Sequence, residues 1–447
     1  MFERKLLHSL VLWKSQEHPK RKPLILHGAR QVGKTFLVRE FGERNFETTI
    51  ELNLENSDHA RYFQAPLSIK DFAKIIEVRF QKQLVDGKTL VFIDEIQNSI
   101  ALLKLLRFFY EERPDLHVIA AGSLLSAKLQ REGIELPVGR VEYRYLYPLD
   151  FFEYLEALGE HALKKELQTL SRDVNLPTAL HHDALRIFSE YMAIGGMPEL
   201  VATYAQTKSF SILQPLYSSL FNAYRDDVYK YATHAEARYI QHVIETVPLH
   251  AGNIVSYEKL GGGLYRSREL FRACEILQRA GIITQIYATE SHRLPLMAKP
   301  RRPKKFLFLD SGLVAYRSGL QGDVLHDISL TDGYRGRLAE QIVGQQLISN
   351  FTYEEASIFY WSKTKTQGEA EIDFCMLRES KIIGIEVKSG AAGRLRSLFS
   401  FADSVADATL IRISQQPLSY ERIEHRGKSY NLISIPFYLV PKVLELI

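Results

Sequence analysis

The chain has 447 residues, 46% of them hydrophobic, with 57 Lys plus Arg against 53 Asp plus Glu. This length and apolar content exclude a mainly disordered chain and predict about three domains, each with its own core. The formal net charge of +4 is too small to identify the whole molecule as a polyanion binder, so any contact with nucleic acid must come from a local cluster.

The cysteines and the apolar runs indicate in which cellular compartment the protein is expected. Cys274 and Cys375 form no C-x-x-C pair, which argues against a disulfide scaffold or a zinc finger and favours a reducing cytoplasm. The first residues contain no apolar signal segment, and no run approaches the roughly 18 apolar residues of a membrane span. We therefore expect a soluble, cytoplasmic protein with no membrane partner.

Residues 1–149 have the pattern of an α/β domain with a parallel sheet. Short apolar runs alternate with helical patterns, and such runs are typical of strands that are covered on both faces. The predicted strands are residues 23–27, 48–54, 89–93 and 117–121.

Three further regions follow this domain. Residues 150–250 have a helical pattern, interrupted by a Gly-Gly-Met-Pro turn, and we interpret them as a linker or lid. Residues 251–325 give the order helix, turn, helix and then two strands, at 282–286 and 306–309, which is typical of a winged helix. Residues 326–447 give a helix followed by alternating strands, an α+β ending.

The hairpin of the predicted winged helix carries a basic segment at its tip. Residues 299–305 contain five basic residues in seven. A cluster of this kind can neutralise DNA phosphates, so we expect DNA binding that weakens steeply with salt. The predicted DNA contacts are Arg301, Arg302, Lys304 and Lys305.

Residues 28–35 match the P-loop pattern G-x-x-x-x-G-K-[ST] between an apolar strand and a predicted helix, which is the context that the motif needs. Its glycines allow backbone N–H groups to surround phosphates, Lys34 would reach the β and γ phosphates, and the Thr35 hydroxyl would bind Mg²⁺. The predicted ATP-binding residues are Gly28, Ala29, Arg30, Gln31, Val32, Gly33, Lys34, Thr35 and Phe36.

A second motif follows the apolar strand at 89–93. Two acids, Asp94 and Glu95, stand directly after this strand. Asp94 would hold the Mg²⁺ shell, and Glu95 would polarise the attacking water as a general base. The alternative for both motifs is a capped turn after a strand, with no ligand.

Two more candidates stand near the end of this domain. Ser123 follows a third strand, where a polar side chain beside the γ phosphate would report hydrolysis; an ordinary strand-to-helix turn explains it equally well. Arg140 could neutralise charge in the transition state, acting from a neighbouring subunit. The alternative for Arg140 is a surface salt bridge.

Two predicted strands near the end of the chain, 369–377 and 382–388, are joined by a short polar loop. If Leu377 pairs with Ile382, the positions of opposed residues sum to 759. A loop that is one residue shorter or longer would place the acids of the two strands on opposite faces of the sheet.

In this register Asp373 faces Glu386 and Glu371 faces Lys388, with all four side chains on one face. Opposed carboxylates repel unless a cation lies between them, and Mg²⁺ prefers carboxylate ligands. We therefore predict Asp373, Glu386 and Lys388 as catalytic, and Asp373, Glu386 and Glu340, from the preceding helix, as metal ligands. The alternative is a solvated or salt-bridged sheet face.

Residues 224–229, Tyr-Arg-Asp-Asp-Val-Tyr, form a dense polar patch within the helical region. We interpret this patch as helix packing through salt bridges rather than as a site.

In their order, these motifs resemble a widespread family of bacterial and archaeal ATPases in which an AAA+ P-loop domain precedes a C-terminal region. The segments that carry the resemblance are Gly28–Thr35, Asp94–Glu95, Gly139–Arg140, Gly195–Pro198, Tyr224–Asp227, Leu309–Leu313 and Glu386–Lys388. The resemblance implies ATP binding and hydrolysis, a winged-helix segment and a terminal domain similar to the PD-(D/E)XK nucleases.

The nuclease pattern falls on Glu340, Asp373, Glu386 and Lys388, although the usual Pro-Asp is here Ile-Asp. AAA+ relatives often form rings, and an Arg140 that acts in trans would require such a homo-oligomer.

Two hypotheses follow for the whole chain. In the first, the protein is an ATP-driven enzyme with Mg²⁺ as cofactor, whose winged helix holds DNA and whose restriction-endonuclease-like α+β end cleaves a phosphodiester. In the second, it is a nucleotide-switched regulatory or scaffold protein whose C-terminal domain binds DNA or protein without cutting.

Overall fold

The computed structural model describes residues 3–123, 125, 128–129, 133, 136–137, 139–322, 333–363, 370–388, 395–405 and 408–447. Within these ranges, no helix is both long enough and apolar enough to cross a membrane.

The helices and strands are numbered here in chain order. The strands are β1 (Leu24–His27), β2 (Thr48–Asn53), β3 (Thr89–Asp94), β4 (His117–Ala121), β5 (Glu142–Tyr145), β6 (Ile254–Val255), β7 (Ile283–Thr289), β8 (Lys304–Phe308), β9 (Ile358–Ser362), β10 (Glu371–Arg378), β11 (Lys381–Val387), β12 (Thr409–Ser414), β13 (Ser419–His425) and β14 (Lys428–Pro436). The helices are α1 (Leu6–Ser15), α2 (Lys34–Asn45), α3 (Ser57–Ala60), α4 (Ile69–Phe80), α5 (Ile100–Glu112), α6 (Phe151–Leu158), α7 (His161–Thr169), α8 (Thr178–Ile194), α9 (Pro198–Thr207), α10 (Gln214–Tyr231), α11 (His234–His250), α12 (Tyr257–Gly261), α13 (Ser267–Arg279), α14 (Ser311–Arg317), α15 (Gly333–Ile348) and α16 (Arg396–Ser404). Four 3₁₀ helices cover Arg61–Phe63, Ile96–Asn98, Ser211–Leu213 and Phe437–Glu445 in the described ranges.

The first sheet is parallel, with the strand order β2-β3-β4-β1-β5. The four predicted strands are confirmed to within one residue at each end. Strand β5, which reads Glu-Tyr-Arg-Tyr, was not predicted, and it pairs in parallel with β1. Helices α1 and α2 pack on one face and α4 and α5 on the other, because strands that are apolar on both faces need cover on both.

The second sheet has the strand order β13-β14-β12-β11-β10-β9-β7-β8-β6 and mixes parallel with antiparallel pairs. Strands β6 to β8 belong to the predicted winged-helix region, and β9 pairs in parallel with β7. The sheet therefore continues across the predicted boundary at residue 325. The helices of the middle region and this sheet share one apolar cluster that extends from Leu149 to Leu446.

The hairpin formed by β10 and β11 has the register that the sequence predicts. Leu377 pairs with Ile382, and the same register continues to Phe374 opposite Ile385. The turn residues Glu379 and Ser380 both have positive φ, 48° and 67°, as the two central positions of a type I′ turn require. The predicted first residue of β10, Glu369, lies outside the described residues.

Candidate functional site

The P-loop lies at the carboxyl edge of the parallel sheet, between β1 and α2. Gly33 has φ of +95°, a left-handed conformation that favours glycine. A Cβ atom added at Gly28 would lie 2.4 Å from the carbonyl oxygen of Leu146. Both glycines of the motif are therefore required by the backbone path. The exposed fraction of Phe36, which follows the loop in α2, is 41%.

The Lys34 ammonium is buried beneath the loop. Its Nζ donates hydrogen bonds to the carbonyl oxygens of Gly28 at 2.9 Å and Ala29 at 2.8 Å. Burial lowers the pKa of Lys34 to about 8, although Glu95 and Asp94 act in the opposite direction. The charge of Lys34 is thus held at the loop, with Asp94 at the end of β3 and Glu95 just after it close by.

Thr35 and Asp94 join the two predicted motifs directly. The Thr35 hydroxyl donates a hydrogen bond of 2.7 Å to Oδ2 of Asp94. Burial raises the pKa of Asp94, and the hydrogen bond from Thr35 opposes this rise. A hydroxyl and a carboxylate oxygen in contact are hard-oxygen ligands of the kind that Mg²⁺ prefers, so this pair fits the predicted metal.

Glu95 is held by two neighbours at the same edge of the sheet. It adopts a left-handed φ of 53°, its carboxylate accepts a hydrogen bond from Gln97 Nε2, and Ser123 Oγ lies 3.4 Å from both carboxylate oxygens. The structure thus brings Ser123 close to Glu95, the predicted general base. The sequence alone left the role of Ser123 open.

Parts of the chain outside the first sheet also contact the P-loop. Arg4 donates from Nη1 to the Val32 carbonyl oxygen at 2.9 Å. Arg30 forms an ion pair of 2.5 Å with Asp227 of α10. A Cβ atom added at Gly281, just after α13, would lie 3.4 Å from the backbone nitrogen of Ala29. These contacts were not predicted, because the partners lie far apart in the chain.

The acids predicted near the C-terminus lie close together, but a lysine lies among them. Lys305 Nζ on β8 is 2.6 Å from Oε2 of Glu340 and 3.3 Å from Oδ1 of Asp373. Burial lowers the pKa of Lys305, but Asp373 and Glu340 outweigh burial and hold this pKa above its ordinary value. Burial also raises the pKa of Glu340 to about 7, against the effect of Lys305.

The remaining members of this group make contacts near the end of β11. Asp373 Oδ2 accepts a hydrogen bond of 2.8 Å from the Val387 backbone N–H. Lys388 Nζ donates to Oε1 of Glu386. Burial, and then the Asp373 charge, raises the pKa of Glu386 to about 7.

The three acids predicted as metal ligands are not gathered around one point in this arrangement. Across the described ranges, no three or more His, Cys, Asp or Glu side chains are placed to hold a metal ion together. The predicted ligand set of Glu340, Asp373 and Glu386 is therefore not assembled. The physical reason is that the ammonium of Lys305 already neutralises the carboxylates of Glu340 and Asp373.

The predicted basic tip is wrong for two of its four residues. Only 3% of Lys304 and 1% of Lys305 is exposed, and Lys304 Nζ donates to the carbonyl oxygens of Pro300 and Arg302. Both residues lie in β8, where their charges are satisfied inside the protein. Arg301 is exposed, while Arg302 forms an ion pair with Glu290.

Comparison with family models assigns three segments. Residues 20–155 match the model described as AAA domain. Residues 20–155 form an AAA domain. Residues 185–323 and 335–438 match two models that are each described as a domain of unknown function, DUF8612 and DUF4143. A search of curated proteins gave no match.

Several solved structures are similar at low identity. The Walker-type ATPase PABY2304 of Pyrococcus abyssi is 17% identical, over 71% of this chain and 96% of its own, with a TM-score of 0.45. The Holliday junction branch migration motor RuvB of Thermotoga maritima is 17% identical, over 64% and 90%, with a TM-score of 0.29. PCH-2 of C. elegans is 14% identical, over 49% and 63%, with a TM-score of 0.29.

Arg140 lies at the edge of the AAA domain that is opposite to the P-loop. It precedes β5, whose first residue, Glu142, pairs with Leu24 at the start of β1. Its Nε donates to Oε1 of Glu111 at 3.0 Å. Within one chain Arg140 therefore forms the surface salt bridge that the sequence offered as its alternative.

The sequence reasoning gave no role to Asp310, which connects three regions. Its side chain is fully buried and caps α14 through the backbone N–H groups of Gly312 and Leu313. It also accepts hydrogen bonds from Gly196 N at 2.6 Å and Gln345 Nε2 at 3.1 Å. Burial raises the pKa of Asp310 to about 6. The sequence did contain one signal for this role, because Asp310 lies within Leu309–Leu313, one of the segments that carry the family resemblance.

Proposed function

We propose that this chain hydrolyses ATP and uses the nucleotide state to switch the helical and C-terminal regions. The observation that carries the proposal is the Thr35–Asp94 hydrogen bond of 2.7 Å. It brings the end of the P-loop and the acids after β3 to one point at the carboxyl edge of a parallel sheet.

Each side chain has a distinct task in this proposal. The loop N–H groups and the Lys34 ammonium would bind the β and γ phosphates of ATP. Glu95, oriented by Gln97 and Ser123, would accept a proton from the attacking water. Thr35 and Asp94 would hold Mg²⁺, which neutralises phosphate charge when bound.

The switching part of the proposal rests on the three contacts with the loop. Arg4, Asp227 and Gly281 come from three different parts of the chain and meet the loop at Val32, Arg30 and Ala29, respectively. Any change in the loop between its ATP and ADP states would therefore be felt by regions outside the AAA domain. This arrangement supports the regulatory hypothesis over a free-standing ATPase.

The proposal is tested by steady-state ATP hydrolysis. Lys34→Ala should abolish turnover, because the phosphates lose their buried cation. Lys74→Ala is the matched control, since Lys74 is exposed on α4 and pairs only with Glu77 among its described partners. Turnover that is equal in the wild type and in Lys34→Ala would contradict the proposal.

A second candidate is Mg²⁺-dependent cleavage of DNA at the C-terminal acidic group. The hairpin register favours it, because this register places Asp373 beside Val387 and Glu386. The position of Lys305 argues against it, since a metal would have to displace that ammonium. Degradation of supercoiled, linear and single-stranded DNA by the wild type and not by Asp373→Ala would establish cutting. If no DNA is cleaved while ATP hydrolysis is intact, the second candidate is excluded and the nucleotide switch remains as the proposed function.

A further inference from the structure

A cavity of 590 Å³ opens beside the P-loop on the side that carries Glu95. Glu95 and Ser123 of the AAA domain line it, together with Arg30 of the loop. Lys230 also lines it, from the last turn of α10. A residue from outside the AAA domain thus reaches the cavity in which the proposed function places the attacking water.

Asp227 holds two of the cations that line this cavity, Arg30 and Lys230. Nη1 of Arg30 lies 2.5 Å from each carboxylate oxygen of Asp227. Nζ of Lys230 lies 3.1 Å from Oδ1 of the same carboxylate and 3.2 Å from Oε1 of Glu55. The Asp227 side chain is 9% exposed, against 33% for Arg30 and 48% for Lys230. The acid is therefore the fixed member of the group and the cations reach outward.

The helix that carries Asp227 is itself fixed to the loop. Tyr224, one turn earlier on α10, is buried, and its hydroxyl donates to the carbonyl oxygen of Arg30 at 3.4 Å. The polar patch at 224–229 is thus salt-bridged packing, as predicted, and it contacts both the P-loop and α11, where Arg225 pairs with Glu245.

The cations have unused capacity for an anion. A guanidinium has five N–H donors in a planar fork that suits phosphate oxygens, and the contact with Asp227 uses Nη1 of Arg30. An ammonium has three donors, and Lys230 is only half-buried. The anion that differs between ATP and ADP is the terminal phosphate.

We propose that Arg30 and Lys230 bind the terminal phosphate of ATP, and that Asp227 is the positioning residue that directs both cations toward it. This inference rests on the proposed function and extends the nucleotide site from the AAA domain to α10. Asp227 would then contribute to how strongly the protein distinguishes ATP from ADP, while Lys34 would bind the β phosphate that both nucleotides share as well as the γ phosphate of ATP.

The test is the ratio of two affinities, measured by calorimetry with Mg²⁺ for ADP and for a non-hydrolysable ATP analogue. Asp227→Asn should reduce the preference for the analogue about tenfold, since it weakens a charge-assisted contact worth roughly 1.4 kcal/mol, the equivalent of that factor. Asp227→Glu should restore part of the preference. Asp226→Asn is the matched control, because Asp226 is exposed on the same helix and should leave the ratio unchanged.

A second variant avoids dependence on the folding of Asp227→Asn. Lys230→Met removes a half-exposed cation and should also reduce the ratio several-fold, without a change in the affinity for ADP. Ratios equal to that of the wild type in Asp227→Asn and Lys230→Met would overturn the inference while ATP hydrolysis still stands. A wild type that binds neither nucleotide would overturn both the inference and the proposed function.

Discussion

Lys305 Nζ lies 2.6 Å from Oε2 of Glu340, in a place where the sequence pattern predicts a metal. The ammonium also contacts Asp373 at 3.3 Å and is almost fully buried. The counter-ion of the two acids is therefore a side chain of the protein itself, Lys305 of β8. This ion pair joins the predicted winged-helix region to the C-terminal strands.

We expect Lys305→Met to destabilise the protein by about 3–5 kcal/mol, because it leaves buried carboxylates without their cation. The measurement is urea unfolding at neutral pH. Lys304→Met is the matched control, since Lys304 is equally buried but contacts backbone carbonyl oxygens; its loss should be about 1 kcal/mol. Equal losses in the two variants would show that the ion pair is not the main contribution of Lys305.

A second prediction concerns the close approach of Gly195 to Asp310. A Cβ atom at Gly195 would lie 1.8 Å from Oδ1 of Asp310, and Gly195 has φ of +81°. Gly159 has nearly the same φ, +82°, but its ψ is 11° against −173° at Gly195, and no atom lies within 4 Å of its added Cβ among the described residues. Gly159→Ala should therefore cost about 1–2 kcal/mol for the backbone alone.

Gly195→Ala should cost about 1–3 kcal/mol more than Gly159→Ala, because φ of +81° with ψ of −173° is a conformation that is essentially restricted to glycine, and because the methyl group also displaces Asp310. Urea unfolding of both variants measures this difference. If the two losses are the same, Asp310 does not need its place against the Gly195–Gly196 turn.

The pH dependence of stability gives a third prediction. Burial raises the pKa of Asp310 to about 6 in the folded protein, against about 3.9 for an ordinary aspartate. Between these values the folded state binds more protons than the unfolded state, so the free energy of unfolding falls as pH rises from about 4 to 6. The decrease in the free energy of unfolding that is due to Asp310 is about 3 kcal/mol, because the two pKa values differ by about 2 and each pKa unit corresponds to roughly 1.4 kcal/mol.

Asp310→Asn should remove this part of the fall. The asparagine side chain can still cap α14 through its carbonyl oxygen. Its other end is an uncharged NH₂ group, which cannot accept the hydrogen bond from Gly196 N. The difference between the wild-type and variant curves isolates Asp310 from Glu340 and Glu386, whose pKa values are also raised. Parallel curves from pH 4 to 7 would contradict the assignment.

Much of the AAA domain follows from local sequence pattern. Strands β1, β3 and β4 are mainly apolar runs, whereas β2, Thr-Thr-Ile-Glu-Leu-Asn, alternates polar with apolar residues at its end. The P-loop and the acids Asp94 and Glu95 stand at the carboxyl ends of apolar strands, so both the fold and this site could be predicted. Strand β5 alternates charge with tyrosine and lacks this signal. Its place in the sheet depends on pairing with β1, which the local pattern does not encode.

The misplaced features depend on long-range partners. The segment at 299–305 resembles an exposed basic tip, but the partners of Lys305 are 35 and 68 residues further along the chain. Arg30 and Asp227 are 197 residues apart. The β10–β11 register was predictable because a short turn fixes it locally.

Glu95 gives the most direct test of the central claim, that the AAA domain hydrolyses ATP. Nucleotide binding and turnover should be measured for the wild type, Glu95→Gln and Glu77→Gln, the last an exposed control on α4. The account predicts that all three bind ATP and that Glu95→Gln alone loses turnover, by at least about 100-fold, because water loses its general base. Turnover by Glu95→Gln at the wild-type rate would contradict it.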